Sequence, residues 1–337
     1  RINGSIFPLA EALDLHFAAD NTPVGFLQPF MKAFASEVSG SASGHARLYG
    51  TFKLVDMTGD LLAHNFSMRL DQTNVSYYAT DSIKMTPGLI DIKGLTLRDR
   101  FGHTARLDGK LTHKFFKEPK FNFRVSNADN LLVFDKGPSV EQQWSGTVFA
   151  SGSAYVDGIP GRVDIGATMV TDPGSEFTFT LSDATMAGEY TFITFRDRNA
   201  ILPLDTLNLK PGSPELDRVM RDKVRKRNET AATSIYNMSL NIDINPNTRM
   251  VLVMDPVAGD KITAYGSGHA NVIYSSGNDD FRIFGDYTIQ RGDYNFTLQD
   301  IIIKNFAIVD GSSVAFTGNL DKTQLDIDAI YALKANL

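Results

Sequence analysis

An alternation of apolar and polar residues with a period of two dominates the C-terminal third of the chain. In the first such run, apolar residues from Met238 to Ile244 occupy every second position, and Ser239, Asn241 and Asp243 lie between them. Successive side chains of a β-strand point to opposite faces of the sheet. The pattern therefore predicts a sheet with one apolar and one polar surface, and the function depends on what covers the apolar surface.

The same alternation recurs in later strands and defines a predicted apolar face. The candidate residues of that face are Met238, Leu240, Ile242, Ile244, Met250, Leu252, Met254, Phe281, Ile283, Tyr287, Ile289, Tyr294, Phe296, Leu298, Leu325, Ile327, Ala329 and Tyr331. A closed sandwich presses two such faces together about 10 Å apart, whereas an open curled sheet leaves its apolar face for a guest. Periodicity alone is compatible with both arrangements.

Composition excludes several classes of function. The 337 residues, 42% of them hydrophobic, suffice for one large β domain or two ordinary ones. With a formal charge of −6 and no basic stripe interleaved with aromatic residues, we expect no nucleic-acid partner. The absence of cysteine excludes disulfides, thiolate nucleophiles and cysteine-based zinc sites. The six histidines are scattered without helical i, i+4 spacing, so we expect no metal site.

The chain carries no motif that indicates catalysis. Nucleophile elbows and phosphate-binding glycine loops are missing, and the Gly266-Ser267-Gly268 segment lacks both a third glycine and a following helix pattern. Carboxylates fall mainly on polar strand faces or in turns, as Asp243 and Asp310 do. We therefore predict no catalytic residue, no cofactor and no enzymatic activity.

One segment near the N-terminus departs from the period of two. Apolar residues there recur at helical spacing, and Gly40 stands where a helix would stop. The stripe consists of Leu27, Phe30, Met31, Phe34 and Val38. The spacing predicts a short amphipathic helix over residues 24–39.

Short strands with Gly, Pro and Asn turns are predicted from there to about residue 190, for example Ala46–Val55 and His103–Thr112. We expect a β-rich segment over residues 1–210, a charged flexible insertion over 211–230 and a C-terminal β segment over 231–337. These parts are expected to form one continuous structure. Strands without intervening helices exclude a doubly wound α/β fold.

The sequence also carries features of a fragment. It begins at Arg1 inside a strand-like Ile2–Phe7 stretch, without an initiator Met, and it contains no run of about eighteen apolar residues. We expect it to be part of a longer chain.

Several motifs in the C-terminal third resemble the C-terminal domain of the TamB family, which belongs to the AsmA-like bridge proteins. They occur in the order Met250-Val-Leu-Val-Met-Asp255, Gly259-Asp260, Gly266-Ser-Gly268, Gly285-Asp-Tyr287, Gly292-Asp-Tyr294, Phe306, Gly311-Ser312 and Asp326-Ile-Asp-Ala-Ile-Tyr331. Earlier stretches also fit, namely Asp81-Ser-Ile83, Leu97-Arg-Asp-Arg-Phe-Gly102 and Leu107-Asp-Gly-Lys-Leu-Thr-His113. The resemblance covers roughly the whole chain.

This resemblance implies an all-β fold: a long curled antiparallel or mixed sheet, called a β-taco, with an open apolar groove that carries phospholipid acyl chains. It implies a periplasmic place in the cell envelope, with the longer parent anchored in the inner membrane. It also implies docking on an outer-membrane barrel of the Omp85 type, similar to TamA or BamA. The charged 211–230 segment has no counterpart in the family pattern.

Other classes remain open at this point. The chain could assist the assembly of outer-membrane proteins without conducting lipid, or could form a β-sandwich binding module at the cell surface. Trp144 is the only aromatic candidate for a glycan platform in such a module, and a buried anchor is the alternative for it. A transmembrane β-barrel also alternates at period two, but mid-strand charges on both faces and the single Trp argue against it.

Overall fold

The computed structural model describes residues 1–31, 34–139, 143–180, 235–255, 258–278, 280–298, 302–319 and 322–332. The strands among them form one 19-stranded sheet. The first nine strands are β1 (Ile2–Phe7), β2 (Ala12–Pro23), β3 (Ala35–Thr51), β4 (Leu54–Leu70), β5 (Val75–Thr86), β6 (Leu89–Arg98), β7 (Thr104–Lys114), β8 (Lys117–Lys136) and β9 (Trp144–Ile159). The later strands are β10 (Arg162–Thr171), β11 (Glu176–Thr180), β12 (Ile235–Ile244), β13 (Arg249–Asp255), β14 (Asp260–Ser275), β15 (Asp280–Leu298), β16 (Ile302–Ile308), β17 (Ser313–Gly318), β18 (Gln324–Asp326) and β19 (Ala329–Ile330). The predicted charged insertion 211–230 lies outside the described residues.

The sheet begins as a simple antiparallel meander, and from β10 onward several of its rows consist of two shorter strands placed end to end. From β1 to β9 each strand pairs antiparallel with the next. β10 and β11 then lie end to end along β9, and β12 and β13 lie parallel to them. β14 is long enough to pair with both β12 and β13, and β15 pairs with β14 over nearly its whole length. β16 and β17 then lie end to end along β15, and β19 and β18 pair with them at the edge of the sheet. The predicted all-β class and mixed sheet are confirmed.

The register places apolar side chains on one face across successive strands. Met238 lies opposite both Ile165 and Tyr274, and Tyr274 lies opposite Phe281. In the N-terminal half, Leu48 lies opposite both Leu15 and Met57. Cross-strand neighbours of this kind stand about 5 Å apart on the same face. One row of opposed residues joins the two halves: Phe17, Ala46, Gly59, Met85, Ile90, Leu111, Phe121, Gly158, Val163 and Tyr236. The apolar face is therefore continuous from one half of the sheet to the other.

The other face is a ladder of polar cross-strand pairs. The amide nitrogen of Asn237 donates to Asp164, and the hydroxyl of Ser275 donates to Asn237, each at 2.8 Å. Arg124 makes a two-pronged contact with Asp157 at 2.7 and 2.9 Å. Hydrogen bonds from Asn237 and Arg162 hold the pKa of Asp164 below its usual value. This face is the one that the polar positions of the alternation predict.

In the C-terminal half, several strands are interrupted, and the interruptions lie beside one another across the sheet. β10 gives way to β11 over residues 172–175, β12 to β13 over 245–248, and β16 to β17 over 309–312. Between these breaks, the β14–β15 pairing shifts register at Tyr265/Gly266. We call this line of breaks and bulges the crease. Bulges and breaks bend strands, so a line of them allows the sheet to fold over.

Hydroxyl side chains replace the ladder hydrogen bonds that are missing at the crease. The hydroxyl of Ser175 accepts from the amide of Phe149 and donates to the carbonyls of Phe149 and Asp172. The hydroxyl of Thr171 accepts from the amide of Asn245 at 2.9 Å. Ser312 donates from its hydroxyl to the carbonyl of Val309 at 2.8 Å. Ser175, Thr171 and Ser312 are buried, so their hydroxyls satisfy backbone groups that water does not reach.

In the N-terminal half the strands bend at bulges, where side-chain oxygens again accept hydrogen bonds from backbone amides. A residue with positive φ donates its amide to a side-chain oxygen of the neighbouring strand at Asn65, Gly94 and Asn130. The acceptors are Thr80, Asp108 and Ser151. Asn and Gly adopt positive φ more readily than other residues. All three residues lie inside strands, β4, β6 and β8, so the chain bends at these positions without ending a strand.

Two predictions about the first half are wrong. The helix predicted over 24–39 is reduced to a 3-10 turn (Gly25–Leu27) and one helical turn, α1 (Gln28–Met31), because Ala35 onward pairs with β4. Gln28 stabilises this arrangement, since its side-chain oxygen accepts from the amide of Val38 at 2.8 Å. The predicted strand Ala46–Val55 is also divided, by a turn at residues 52–53.

The crease yields a test by mutation. Replacing Ser175 with Ala removes the side-chain acceptor of the Phe149 amide and the hydroxyl that donates to the carbonyls of Phe149 and Asp172. The free energy of unfolding should fall by about 1–3 kcal/mol, measured by urea denaturation. Ser153→Ala, on the exposed polar face of β9, is the matched control and should change it by less than about 0.5 kcal/mol. Equal effects of the two substitutions would show that the crease hydroxyl is dispensable.

Candidate apolar groove

A contact between two aromatic residues shows how far the sheet curls. The ring centroids of Trp144 and Phe281 lie 5.2 Å apart. By register, Phe281 belongs to the same row as Val156 of β9, through Tyr274, Met238 and Ile165. Val156 stands twelve residues beyond Trp144, which is about 40 Å along a strand.

The two ends of a flat sheet could not meet across that distance, so the sheet is folded over. Trp144 lies opposite Phe179, which lies opposite Leu252 on the apolar face. Phe281 is on the same face, opposite Tyr274. The apolar face therefore lies on the inside of the fold. We call the space between the two halves the groove, with the crease as its floor and the strand segments on either side as its walls.

The floor of the groove is its best-packed part. Ala264, Tyr287, Ile289 and Ile308 form a buried cluster there. Gly266 lies opposite Ile289 in this region, and a Cβ at that position would collide with the carbonyl of Thr288 on the neighbouring strand. Burial raises the pKa of the Tyr287 phenol, and its hydroxyl has no hydrogen-bond partner among the described residues. Such packing is typical of a permanent core.

The walls are less covered than the floor. Most of the predicted residues lie there with their side chains half-buried: Met238, Leu240, Ile242, Ile244, Met250, Leu252, Met254, Phe281, Ile283, Tyr294 and Phe296. Met254 falls within a register shift of the β13–β14 pair. The side chain of Leu298 lies outside the described residues. Among the predicted residues before Leu325 whose side chains the structure describes, only Tyr287 and Ile289 are buried, at the floor.

The predicted C-terminal residues also lie on the apolar face, but in two short strands instead of one. Leu325 of β18 lies opposite Val314, and Ala329 of β19 lies opposite Ile308. Ile327 packs against the floor cluster between them. Tyr331 contacts Phe306 with ring centroids 5.3 Å apart. β18 and β19 are separated by residues 327–328, where the amide of Asp328 donates to the hydroxyl of Ser312 at the crease.

Several groove residues escaped the sequence prediction. Trp144 was considered only as a glycan platform or a buried anchor, yet it is half-buried and joins the two walls. Phe177 and Phe179 sit beside it, with ring centroids 5.6 and 4.3 Å from Trp144. The alternation in Glu176–Thr180 already placed these two on one face. No local signal connects Trp144 to Phe281, because that contact depends on the curl.

One buried carboxylate has a structural role in a turn. The carboxylate of Asp99 is buried at the β6–β7 turn, where it accepts from the amides of Phe101, His103 and Leu132. Burial raises the pKa of Asp99, but these hydrogen bonds and one from the His103 ring hold it below its usual value. The described residues contain no group of His, Cys, Asp and Glu side chains arranged to hold a metal.

The curl predicts a specific chemical crosslink. The chain has no native cysteine, so Trp144→Cys with Phe281→Cys gives a single pair that a short bismaleimide reagent should join within one molecule. Trp144→Cys with Ile273→Cys is the control, because Ile273 lies opposite Arg282 on the outer face. Intramolecular crosslinking, read by mass spectrometry, should occur only in the first pair. A flat sheet would give it in neither.

Comparison with known proteins yields one match. The family model described as the TamB C-terminal domain matches residues 93–336. No curated protein and no solved structure shows significant similarity to the chain. The matched range includes the crease and both walls of the groove. In the described residues, no helix has the length and apolar content that crossing a bilayer requires.

Proposed function

The chain belongs to the TamB family, and from this membership and the groove we propose that it carries phospholipid acyl chains between the membranes of the cell envelope. Membership implies an envelope location and a part in lipid or protein transport there. The single observation that favours lipid is an apolar face turned inward by the Trp144–Phe281 contact while its walls stay half-buried.

The chemistry of the walls suits an acyl chain. The inward positions of β14 and β15 carry aliphatic and aromatic side chains together with several glycines, and the charged residues that alternate with them lie on the outer face. An acyl chain gains about 0.8 kcal/mol per buried CH₂, and it needs no directional hydrogen bonds. A long surface without polar anchors is therefore suited to a guest that slides along it.

Transport of this kind needs no catalytic group. Its energy is spread over many contacts, so we propose that the chain is not an enzyme and that no single His, Ser or Asp is essential for transport. The titratable groups described above act in turns and ion pairs, which agrees with this proposal.

Substitutions at two neighbouring residues of β12 can test the groove wall and the outer face independently. Leu240→Arg places a charge in the groove, where the long side chain can reach water through the open side and keep the fold. Lipid that copurifies with the protein, quantified by mass spectrometry, should fall several-fold. Ser239→Arg, one residue away on the exposed outer face, should leave the lipid content unchanged.

Ile289→Arg serves as the contrast, because Ile289 is 2% exposed at the floor and a charge there should unfold the chain. If Leu240→Arg folds and retains its lipid, the groove does not carry acyl chains.

We further propose that the C-terminal edge meets the outer-membrane barrel of the Omp85 type with which this family works. β18 and β19 pair on one side with β17 and β16, and no strand of the described region covers their other side. Exposed strand edges readily accept a further strand through main-chain hydrogen bonds. Ile330 is 61% exposed at this edge.

A photoreactive residue at Ile330 should therefore crosslink to a barrel protein in cells. The same residue at Ile273, on the outer face away from the edge, should give no such product. Capture from both positions, or from neither, counts against edge docking. Capture at Ile330 from a protein that carries no lipid would favour assembly of outer-membrane proteins over lipid transport.

A further inference from the structure

The turns at one end of the sheet expose large apolar side chains. Because the strands β1 to β10 alternate in direction, five turns, β1–β2, β3–β4, β5–β6, β7–β8 and β9–β10, lie along the same end, which we call the turn rim. Its exposed apolar residues are Phe7, Leu9, Phe52, Leu54, Phe115, Phe116 and Ile159. Consecutive turns stand about 10 Å apart, since each hairpin spans two strands.

The β7–β8 turn, the fourth of the five along the rim, is the most unusual. Its two-residue loop consists of Phe115 and Phe116, with φ of 52° and 57°. Such a loop favours Asn-Gly, because side chains with a bulky Cβ substituent are strained at positive φ. An aromatic pair held in this conformation and exposed to solvent points to a role outside the fold.

The turn is held in place from below by His113. The ring of His113 stacks on Phe116 with centroids 4.5 Å apart, and its Nδ1 accepts from the amide of Phe116 at 3.0 Å. His113 is itself buried, and its amide donates to the carbonyl of Gly88 in the neighbouring turn. The aromatic pair is therefore presented on a fixed base.

The charges around the aromatic pair are mainly basic. Lys114, Lys117 and Lys120 are exposed there, and Glu118 is the acidic residue among them. Lys53 adds a positive charge at the β3–β4 turn. This local balance is opposite to the net charge of −6 of the whole chain. Lysines beside exposed aromatic side chains match an anionic lipid surface, where the rings lie at headgroup level and the lysines contact phosphates.

We propose that the turn rim docks on an anionic phospholipid bilayer, with Phe115 and Phe116 inserted at the interface. The apolar residues are distributed along about 40 Å, one or two on each of four turns and none on the β5–β6 turn, instead of forming the single patch that a protein partner would cover. A bilayer surface requires no complementary shape. The contact is independent of the proposed groove cargo, because it uses the ends of the strands.

The chain offers a substitution that removes the aromatic rings without harming the turn. Phe115→Asn with Phe116→Gly installs the preferred loop sequence, so the melting temperature should stay equal or rise. Binding of the 337-residue chain to vesicles of phosphatidylcholine with phosphatidylglycerol, measured by flotation, should fall about tenfold or more. Phe26→Ser, 66% exposed at the opposite end, is the matched control and should bind like the parent.

The electrostatic part has its own test. Lys114→Gln with Lys117→Gln should lower binding to anionic vesicles roughly fivefold for each lysine and leave the weak binding to pure phosphatidylcholine unchanged. A polarity-sensitive dye on Glu118→Cys should shift to shorter wavelength on vesicle addition, whereas the same dye on Phe26→Cys should not.

Three results would overturn the proposal: no binding of the parent to anionic vesicles, undiminished binding of the Asn-Gly variant, or equal dye shifts at the two ends. Loss of copurified lipid with unchanged vesicle binding in the Asn-Gly variant would also overturn it, by assigning the turn to the groove. Failure of the groove proposal alone would leave all vesicle results unchanged.

Discussion

Closure of a sheet on its own apolar face depends on satisfying the backbone where the strands break. A sheet that folds across its strands loses ladder hydrogen bonds along the line of folding, and buried groups left unpaired there cost about 1–3 kcal/mol each. Ser175, Thr171 and Ser312 supply hydroxyls at that line. The crease is thus the constraint from which the inward apolar face, the floor cluster and the contact between the walls all follow.

The apolar residues of the groove differ in how deeply they are buried. Close to the crease, Tyr287 and Ile289 are packed from several strands and behave as core. Further along the same strands, Phe281 and Tyr294 keep part of their surface exposed. One alternating pattern therefore produces both a permanent core and an accessible surface.

The sequence was sufficient for the sheet and its two faces but insufficient for its curvature. Side-chain period is a local property of a strand, so the apolar positions from Met238 to Phe296 were predictable. The curl depends on breaks that align between strands far apart in sequence, such as residues 172–175 and 245–248. The helix prediction failed for a related reason: residues 35–39 begin β3 and pair with β4, and such tertiary pairing overrides a helical stripe that is only local.

The strength of the wall contact is compatible with the proposed exchange of acyl chains in the groove. An aromatic pair such as Trp144 and Phe281 contributes about 0.5–1.5 kcal/mol beyond the area it buries. An acyl chain with about ten methylenes between the walls would gain about 8 kcal/mol, so under the lipid proposal it could displace this contact. Without a guest, the same contact covers apolar surface that would otherwise promote aggregation. A weak contact between the walls above a well-packed floor therefore agrees with both a stable fold and the proposed access of acyl chains to the interior.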